Sequence, residues 1–582
     1  MARLASPGYN RTVLVTQVLQ PADERIIEFK GLNRMDVTEE GEMSAMKNLT
    51  SSNYPLLTPR KLRGTYTLPE GVKIPLAITA RYERIAMVAK DDEDNVNFYY
   101  DGEKIDDVVG LSEATEMVAI NTKLCFFPQK KYVEIRTSGS SVVVDNFGSL
   151  EETFTTATGL TVTISSEDVR ITLPSEHGFK YDDAVNINGT LSYTSGGTSK
   201  TAACAVSCAI EAVDGNTLVL PRDTFIELTG EGATSITFIG TIGRTMPDLD
   251  HVIEWNNRLW GCSAADNTIY ACKLGDPTNW QYYQGTGLDS YYAQQGTDGI
   301  WTGSAAYSSH IIFFKQNSMT KVYGSMPASF QVVNVQCYGV EEGSRKSVVV
   351  VNDKVFYKSV IGIMAYDGGL PYCISDKFNS KAKAVVGGTE GQKYYASMKT
   401  ADVGPELMVL DIERGLWHKE DSTRFRDCCT INNKLYFITQ DSESVTCSDE
   451  IFCDSYLLCG EGEASAGVVR VINPINPTET YADMPWMAVF GPFDEWIENR
   501  KIYSKLLLRL LRKNDSAVRV YISINGGAWE LVQSFNPATT GGDYIPIIPR
   551  RCDRYSVKIE GTGDCCIKSL TRRVRRGTGG RL

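Results

Sequence analysis

The chain contains four histidines, His177, His251, His310 and His418, and none stands within metal-ligand spacing of another histidine or of a Cys-x-x-Cys pair. Cys204 and Cys208 are four apart, but no second pair follows at the distance a closed tetrahedral zinc site needs. Phosphate-cradling GxxxxGK[ST] and GxGxxG loops, the GxSxG nucleophile elbow and the HExxH zinc helix are all missing. Carboxylates are plentiful, and any two could serve as a glycosidase acid–base pair, yet nothing in the sequence selects such a pair. The expectation is a chain with no catalytic residues, no metal and no cofactor.

Charge is the next chemical signal. The formal net charge is −12, but Arg550 to Leu582 carries ten Lys/Arg against three Asp/Glu, so a basic C-terminal end is attached to an acidic body. Arg550, Arg551, Arg572, Arg573, Arg575 and Arg576 are the candidates for contact with a neighbouring subunit or with DNA. An acidic body does not coat nucleic acid by itself. Cys428-Cys429 and Cys565-Cys566 are vicinal within an odd total of 15 cysteines, which fits reduced, buried thiols and synthesis in a reducing cytosol. No apolar run approaches the roughly 18 residues of a membrane helix, and the N-terminus has no apolar core of a secretory signal. At roughly 100–200 residues per domain, 582 residues imply several domains or one large repeat architecture.

The elements that would carry these groups read as mostly β. Six segments share a turn residue, a basic or polar residue and a short aliphatic–aromatic strand. They are Asn121–Phe127, Asn256–Trp260, Ser309–Phe314, Asn352–Tyr357, Gln392–Tyr395 and Asn432–Phe437. Lys354, Lys393 and Lys434 fall 39 and 41 residues apart, and each segment is followed by a second strand, the last being Ser444–Asp449. Strand–turn–strand units every ~40 residues are what propeller blades produce; a bent sandwich of many hairpins is the alternative. Residues 148–244, rich in Thr, Ser and Gly with short strands, interrupt the period and read as a small β-barrel or sandwich inserted in a blade loop. From Val468 to Leu570 alternating strands suggest a separate jelly-roll-like sandwich, with Lys505–Lys513 readable as helix or strand. Asn525-Gly526 between alternating runs is a type I′ hairpin turn; Ser523–Trp529 is also faintly similar to a sialidase aspartate box, one residue short and with Asn for Asp. The expected division is an N-terminal docking arm 1–75, propeller 76–147, insert 148–244, propeller 245–460, sandwich 461–571 and a basic tail 572–582.

The two ends carry a resemblance. Phe29-Lys-Gly-Leu-Asn33, Glu42-Met43, Lys47–Pro55 and Pro59-Arg60, with Trp486–Phe493, the hairpin Ile524–Glu530, Pro549–Arg554 and Ile559–Gly563, resemble the tail nozzle (tail tubular, or hub) proteins of short-tailed bacteriophages. That resemblance implies a β-propeller platform in a homohexameric ring below portal and adaptor, located in the virion tail, with other tail proteins or fibres as neighbours. Genomic DNA would pass through the lumen without sequence-specific binding. A glycan-binding or glycan-hydrolysing propeller is the competing function, motivated by eight Trp and 29 Tyr.

Overall fold

The structure is a computed structural model that describes residues 22–576 apart from 37, 139–140, 231, 379–381, 401–403, 441–466, 495–500, 514–515 and 536–543. Seven four-stranded antiparallel sheets form a propeller. Blade 1 opens with Ile74–Arg81, blade 2 with Glu116–Ile120, blade 3 with His251–Trp255 and blade 4 with Trp301–Tyr307. Blades 5, 6 and 7 open with Val349–Val351, Ala382–Glu390 and Phe425–Ile431. These first strands touch in a closed cycle, blade 7 against blade 1, so the repeat closes on itself.

The sequence repeat has a geometric cause. In every blade a two-residue turn joins the first strand to the second, and the residue that begins the second strand is basic or His: Arg84, Lys123, Arg258, His310, Lys354, Lys393 or Lys434. Asn121, Asn256, Asn257, Asn352, Asn432 and Asn433 take left-handed φ between 49° and 59°, the conformation that two-residue hairpin turns demand and Asn tolerates. Blade 1 has the same hairpin built from Tyr82 and Glu83. Several of the basic residues then brace later parts of their blade. Arg258 donates to the carbonyls of Cys272, Gly287 and Asp289, and Lys123 pairs with Glu134 at 2.8 Å. Behind each turn the second strands are apolar and buried, Leu124, Phe126, Ile312, Phe314 and Val355 among them.

Blade 7 contains a correction to the sequence reading. Val469–Ile472, assigned there to the C-terminal sandwich, is the third strand of blade 7, because it pairs with Lys434–Thr439. The fourth strand is Arg63–Thr65 from the N-terminal arm, so the two ends of the propeller segment close one blade together. The expected strand at 444–449 lies outside the described residues.

The insert is one seven-stranded antiparallel sheet spanning Glu152–Arg244 with its own core around Val169, Ile187, Leu218 and Phe238. It sits between blades 2 and 3 rather than in a loop of a blade, because all four strands of blade 2 are paired before it begins. The sheet pinches where Gly189 crosses Gly240, since a Cβ on Gly189 would lie 2.2 Å from the Ile239 carbonyl oxygen. Asp182 and Asp183 fasten it to blade 3 through Lys273, Asn279 and Tyr282.

The C-terminal sandwich has two sheets, and the arm contributes one edge strand to each. The first runs Ala22–Ile26, Cys565–Arg576, Lys501–Arg512, Tyr544–Cys552, and the second Met43–Lys47, Trp486–Phe493, Tyr555–Thr562, Ala517–Ile524, Glu530–Phe535. Lys501–Arg512 is a strand, with Leu506 and Leu508 fully buried between the sheets. The arm is therefore built into the chain's own propeller and sandwich. One continuous core joins sandwich residues such as Phe490 and Val557 to Tyr394 and Trp417 of blade 6 by way of Phe29 and Met46 of the arm. Gly31 (φ +83°) permits that seam, where the Leu32 amide reaches the Trp417 carbonyl at 2.7 Å.

Candidate functional site: the propeller axis

A propeller's first strands converge on its axis, so side chains at their starts meet there. An axial cavity of about 260 Å³ is lined by Thr79 of blade 1, Glu116 of blade 2, His251 of blade 3, Ser304 of blade 4 and Asp427 of blade 7, with Arg345 and Lys346 reaching in. The last two come from a 3₁₀ turn, Arg345–Ser347, that leads into blade 5. β-Bulges interrupt the first strands of blades 1, 4, 6 and 7, and the one in blade 7 falls at the position before Asp427.

The charges cancel in pairs across the axis. Arg345 pairs with Glu116, and Lys346 Nζ lies 3.1 Å from Asp427 Oδ1. Asp427 also accepts from the Ile78 amide at 3.0 Å, closing the seam between blades 7 and 1. Arg345 Nη1 is 3.2 Å from His251 Nδ1, and a guanidinium can only donate, so Nδ1 accepts and Nε2–H donates to the Trp301 carbonyl at 3.1 Å. Burial pushes the His251 imidazole below its ordinary value, so it stays neutral at physiological pH. Both ring nitrogens are thus engaged, which leaves His251 no free lone pair to activate Ser304 or Thr79. The arrangement holds five blades and one turn together across the axis.

His310 and His418 are buried within blades 4 and 6. His310 is 2% exposed, bonds Tyr366 Oη at 2.8 Å and is pushed down to about 4 by burial. Burial and then Lys393 push His418 down to about 3. Among the described residues no group of three or more His, Cys, Asp or Glu could hold a metal ion.

The basic candidates separate. Arg572 to Arg576 continue a paired strand, so the tail expected from 572 begins no earlier than 577, its register held by Ala22–Ile26 on one side and Lys501–Arg512 on the other. Arg572 is 4% exposed, stacks over the Phe493 ring at 3.7 Å and pairs with Glu40 at 2.9 Å, which removes it from any external contact. Arg573 faces out beside Asp23 (2.6 Å), Arg550 is exposed beside Glu530 (2.8 Å), and Arg551 is exposed. The side chains of Arg575 and Arg576 lie outside the described residues. The axial residues Glu116, Arg345, Lys346 and Asp427 gave no sequence signal, because they come from three distant places in the chain.

No family model and no curated protein matches the chain. Among solved structures it is similar to a Kluyveromyces lactis Hsv2 with loop 6CD replaced by a Gly-Ser linker, at 11% identity over 35% of this chain and 64% of that one, TM-score 0.25. Others are the exo-β-1,3-galactanase of Phanerochaete chrysosporium (10%, 55% and 95%, 0.21) and puromycin hydrolase (9%, 63% and 58%, 0.25). The chain spans less than two thirds of the Hsv2 variant and of puromycin hydrolase. Superpositions this loose transfer neither activity nor substrate. The propeller stands on its own strand pairings. No helix among the described residues is long and apolar enough to cross a membrane.

Proposed function

We propose that this chain is a non-catalytic structural subunit of a short-tailed phage tail, of the nozzle or hub type. It assembles as a closed homohexameric ring below portal and adaptor, and the genome passes through the lumen between subunits. The observation that carries this reading is the propeller axis, closed by the chain's own Arg345 and Lys346 in ion pairs with Glu116 and Asp427. A polymer cannot thread that axis, and an oriented, satisfied His251 serves cohesion rather than turnover. The double use of the arm, as the last strand of blade 7 and as an edge strand of both sandwich sheets, supports the same reading. It welds three folded parts into one body suited to bearing load.

Light scattering on the purified chain, with and without an adaptor ring, followed by negative-stain imaging of the same peak, tests it. The expected result is a closed ring of six times the 64.3 kDa monomer mass. A monomer under both conditions overturns it. A glycan-binding reading draws on one feature: Trp529 is 40% exposed, and Lys558 lies over both its ring and that of Tyr521 on the second sandwich sheet. Silence on a glycan array removes that alternative.

A further inference from the structure

We infer that the outer face of the first sandwich sheet docks onto the acidic rim of blade 1 of a second copy of this chain, an inference that rests on the ring reading above. Residues opposite one another in a ladder share a face. Asp23, Arg573 and Lys505 form one such row, and Arg25, Thr571 and Leu507 the next. Arg509 and Lys568 follow at a bulge in the ladder, and Leu511 beside them is 58% exposed. Among the described residues these rows therefore carry Arg25, Arg509, Lys568, Lys505 and Arg573, the last paired with Asp23, interleaved with Leu507 and Leu511. Arg25, Arg509 and Lys568 are exposed and have no carboxylate partner among the described residues.

The complementary surface lies on the same chain. Residues 91–107 hold eight carboxylates; Asp94, Asp101 and Asp106 pair with Lys73, Arg84 and Lys104, and the turn with Asp101 and Glu103 lies at the far end of strand Val96–Tyr100 from the Asp91–Asn95 loop. Asp91 organises the loop by accepting from the Glu93 and Asn95 amides at 3.0 and 2.9 Å and from Asn97 Nδ2 at 2.8 Å, which turns its neighbours outward. The exposed Asp92, Glu93, Glu103 and Asp107 have no ion pair among the described residues. Nor can the rim of one copy face the rim of another without like charges meeting. Two different, opposite patches on one chain define a head-to-tail contact, the type that generates a ring when its rotation closes. The apolar Leu507 and Leu511 give the contact a desolvated centre, and the charges set its orientation.

Charge reversal tests this. A face variant (R25E, R509E, K568E) and a rim variant (D92K, E93K, D107K), each checked for native circular dichroism, should self-associate at least tenfold more weakly than the wild type. A chain carrying all six changes should regain rings, and raising salt from 0.1 to 0.5 M should loosen the wild-type ring. Wild-type rings with both variants assembling normally overturn this interface and leave the ring reading standing. A wild-type chain that stays monomeric with its adaptor overturns the ring reading and the interface with it. A face variant that forms rings but loses retention of duplex DNA makes nucleic acid the occupant and overturns the proposal.

Discussion

Arg63 is the residue on which closure of the propeller turns, and its removal has a calculable consequence. It is 1% exposed, at the start of the arm strand that completes blade 7. Its guanidinium donates to Glu420 Oε2 at 2.6 Å, Asp421 Oδ2 at 2.8 Å and Thr423 Oγ1 at 2.8 Å, while its backbone amide donates to Glu479 at 3.0 Å. Arg60 completes the cluster, 2.8 Å from Glu479 and 3.7 Å from Asp421. Burial alone would lower the Arg63 pKa, but Asp421 and Glu420 outweigh it and raise it above the usual arginine range. Arg63→Met keeps the aliphatic volume and leaves Glu420 and Asp421 only their longer contacts to Arg60, 3.9 and 3.7 Å, a change that costs about 3–5 kcal/mol for a broken buried pair. A chain of 582 residues unfolding as one unit has an unfolding entropy near 1.2 kcal/mol/K, at about 2.1 cal/mol/K per residue, so the melting temperature should fall by about 3–4 °C. Calorimetry reads that shift, and hydrogen exchange should show the loss first in Arg63–Thr65 and Val469–Ile472. Arg63→Met/Glu420→Gln/Asp421→Asn should recover part of the loss, since an uncharged cluster no longer buries unpaired carboxylates. A melting temperature unchanged in R63M, with no extra exchange in blade 7, would refute the reasoning.

Two further perturbations follow from the same chemistry. Burial would raise the Asp421 carboxyl, but Arg63 and Arg60 hold it at about 2, below its ordinary 3.8. A depressed folded pKa stabilises fully above the unfolded value and is lost as pH falls through the folded one. About 2 kcal/mol should therefore disappear between about pH 4 and pH 2, and Asp421→Asn should flatten that part of a stability–pH curve; an unchanged slope in the variant rejects the assignment. Burial pushes the thiols of Cys272, Cys429 and Cys565 up to about 12, and that of Cys125 higher. Native protein treated with iodoacetamide at pH 8 should leave the Cys125 and Cys272 peptides unmodified until denaturant is added, whereas rapid labelling of either would show that blades 2 and 3 open.

How much of this was legible in the sequence depends on whether the signal was local. The blade hairpins were, because the left-handed turn residue and the basic residue one or two positions later lie in one short window. Asn256-Asn257-Arg258 and Asn432-Asn433-Lys434 show it plainly. Blade 1 escaped because Tyr82-Glu83 fills the same left-handed turn with residues that rarely adopt it. Of the vicinal cysteines, expected to be buried, Cys565 is, whereas Cys428, Cys429 and Cys566 are half-buried; among the scattered ones Cys125, Cys262 and Cys272 are buried. The axial ion pairs were invisible for the opposite reason. Glu116, Arg345 and Asp427 are more than 80 residues apart in the chain, and only closure of the ring brings them together.

The arm lies between these cases, and it shows where a local motif stops informing. Asn33, Glu42, Asn48 and Arg60 all belong to the runs that carried the resemblance at the N-terminus, and each has a structural task at the joint. Asn33 Nδ2 donates to Glu42 at 2.6 Å, and Arg60 Nε donates to Asn48 Oδ1 at 2.9 Å. At the C-terminal end Asn525 Oδ1 accepts from the Asp553 and Arg554 amides at 3.0 and 3.2 Å, tying the hairpin Ile524–Glu530 to Pro549–Arg554. The motifs are therefore packing instructions for one joint, written in two distant parts of the chain. Within these runs Asn33, Glu42, Asn48, Arg60 and Asn525 spend their side chains on internal bonds, while Arg550, Arg551 and Trp529 stay exposed. Exposed charge also lies on residues that no motif marks, such as Lys568 and Asp92. A joint this strongly specified makes the orientation of sandwich against blade 1 a fixed property of the subunit, and a fixed angle between two complementary patches is what a head-to-tail contact needs in order to close.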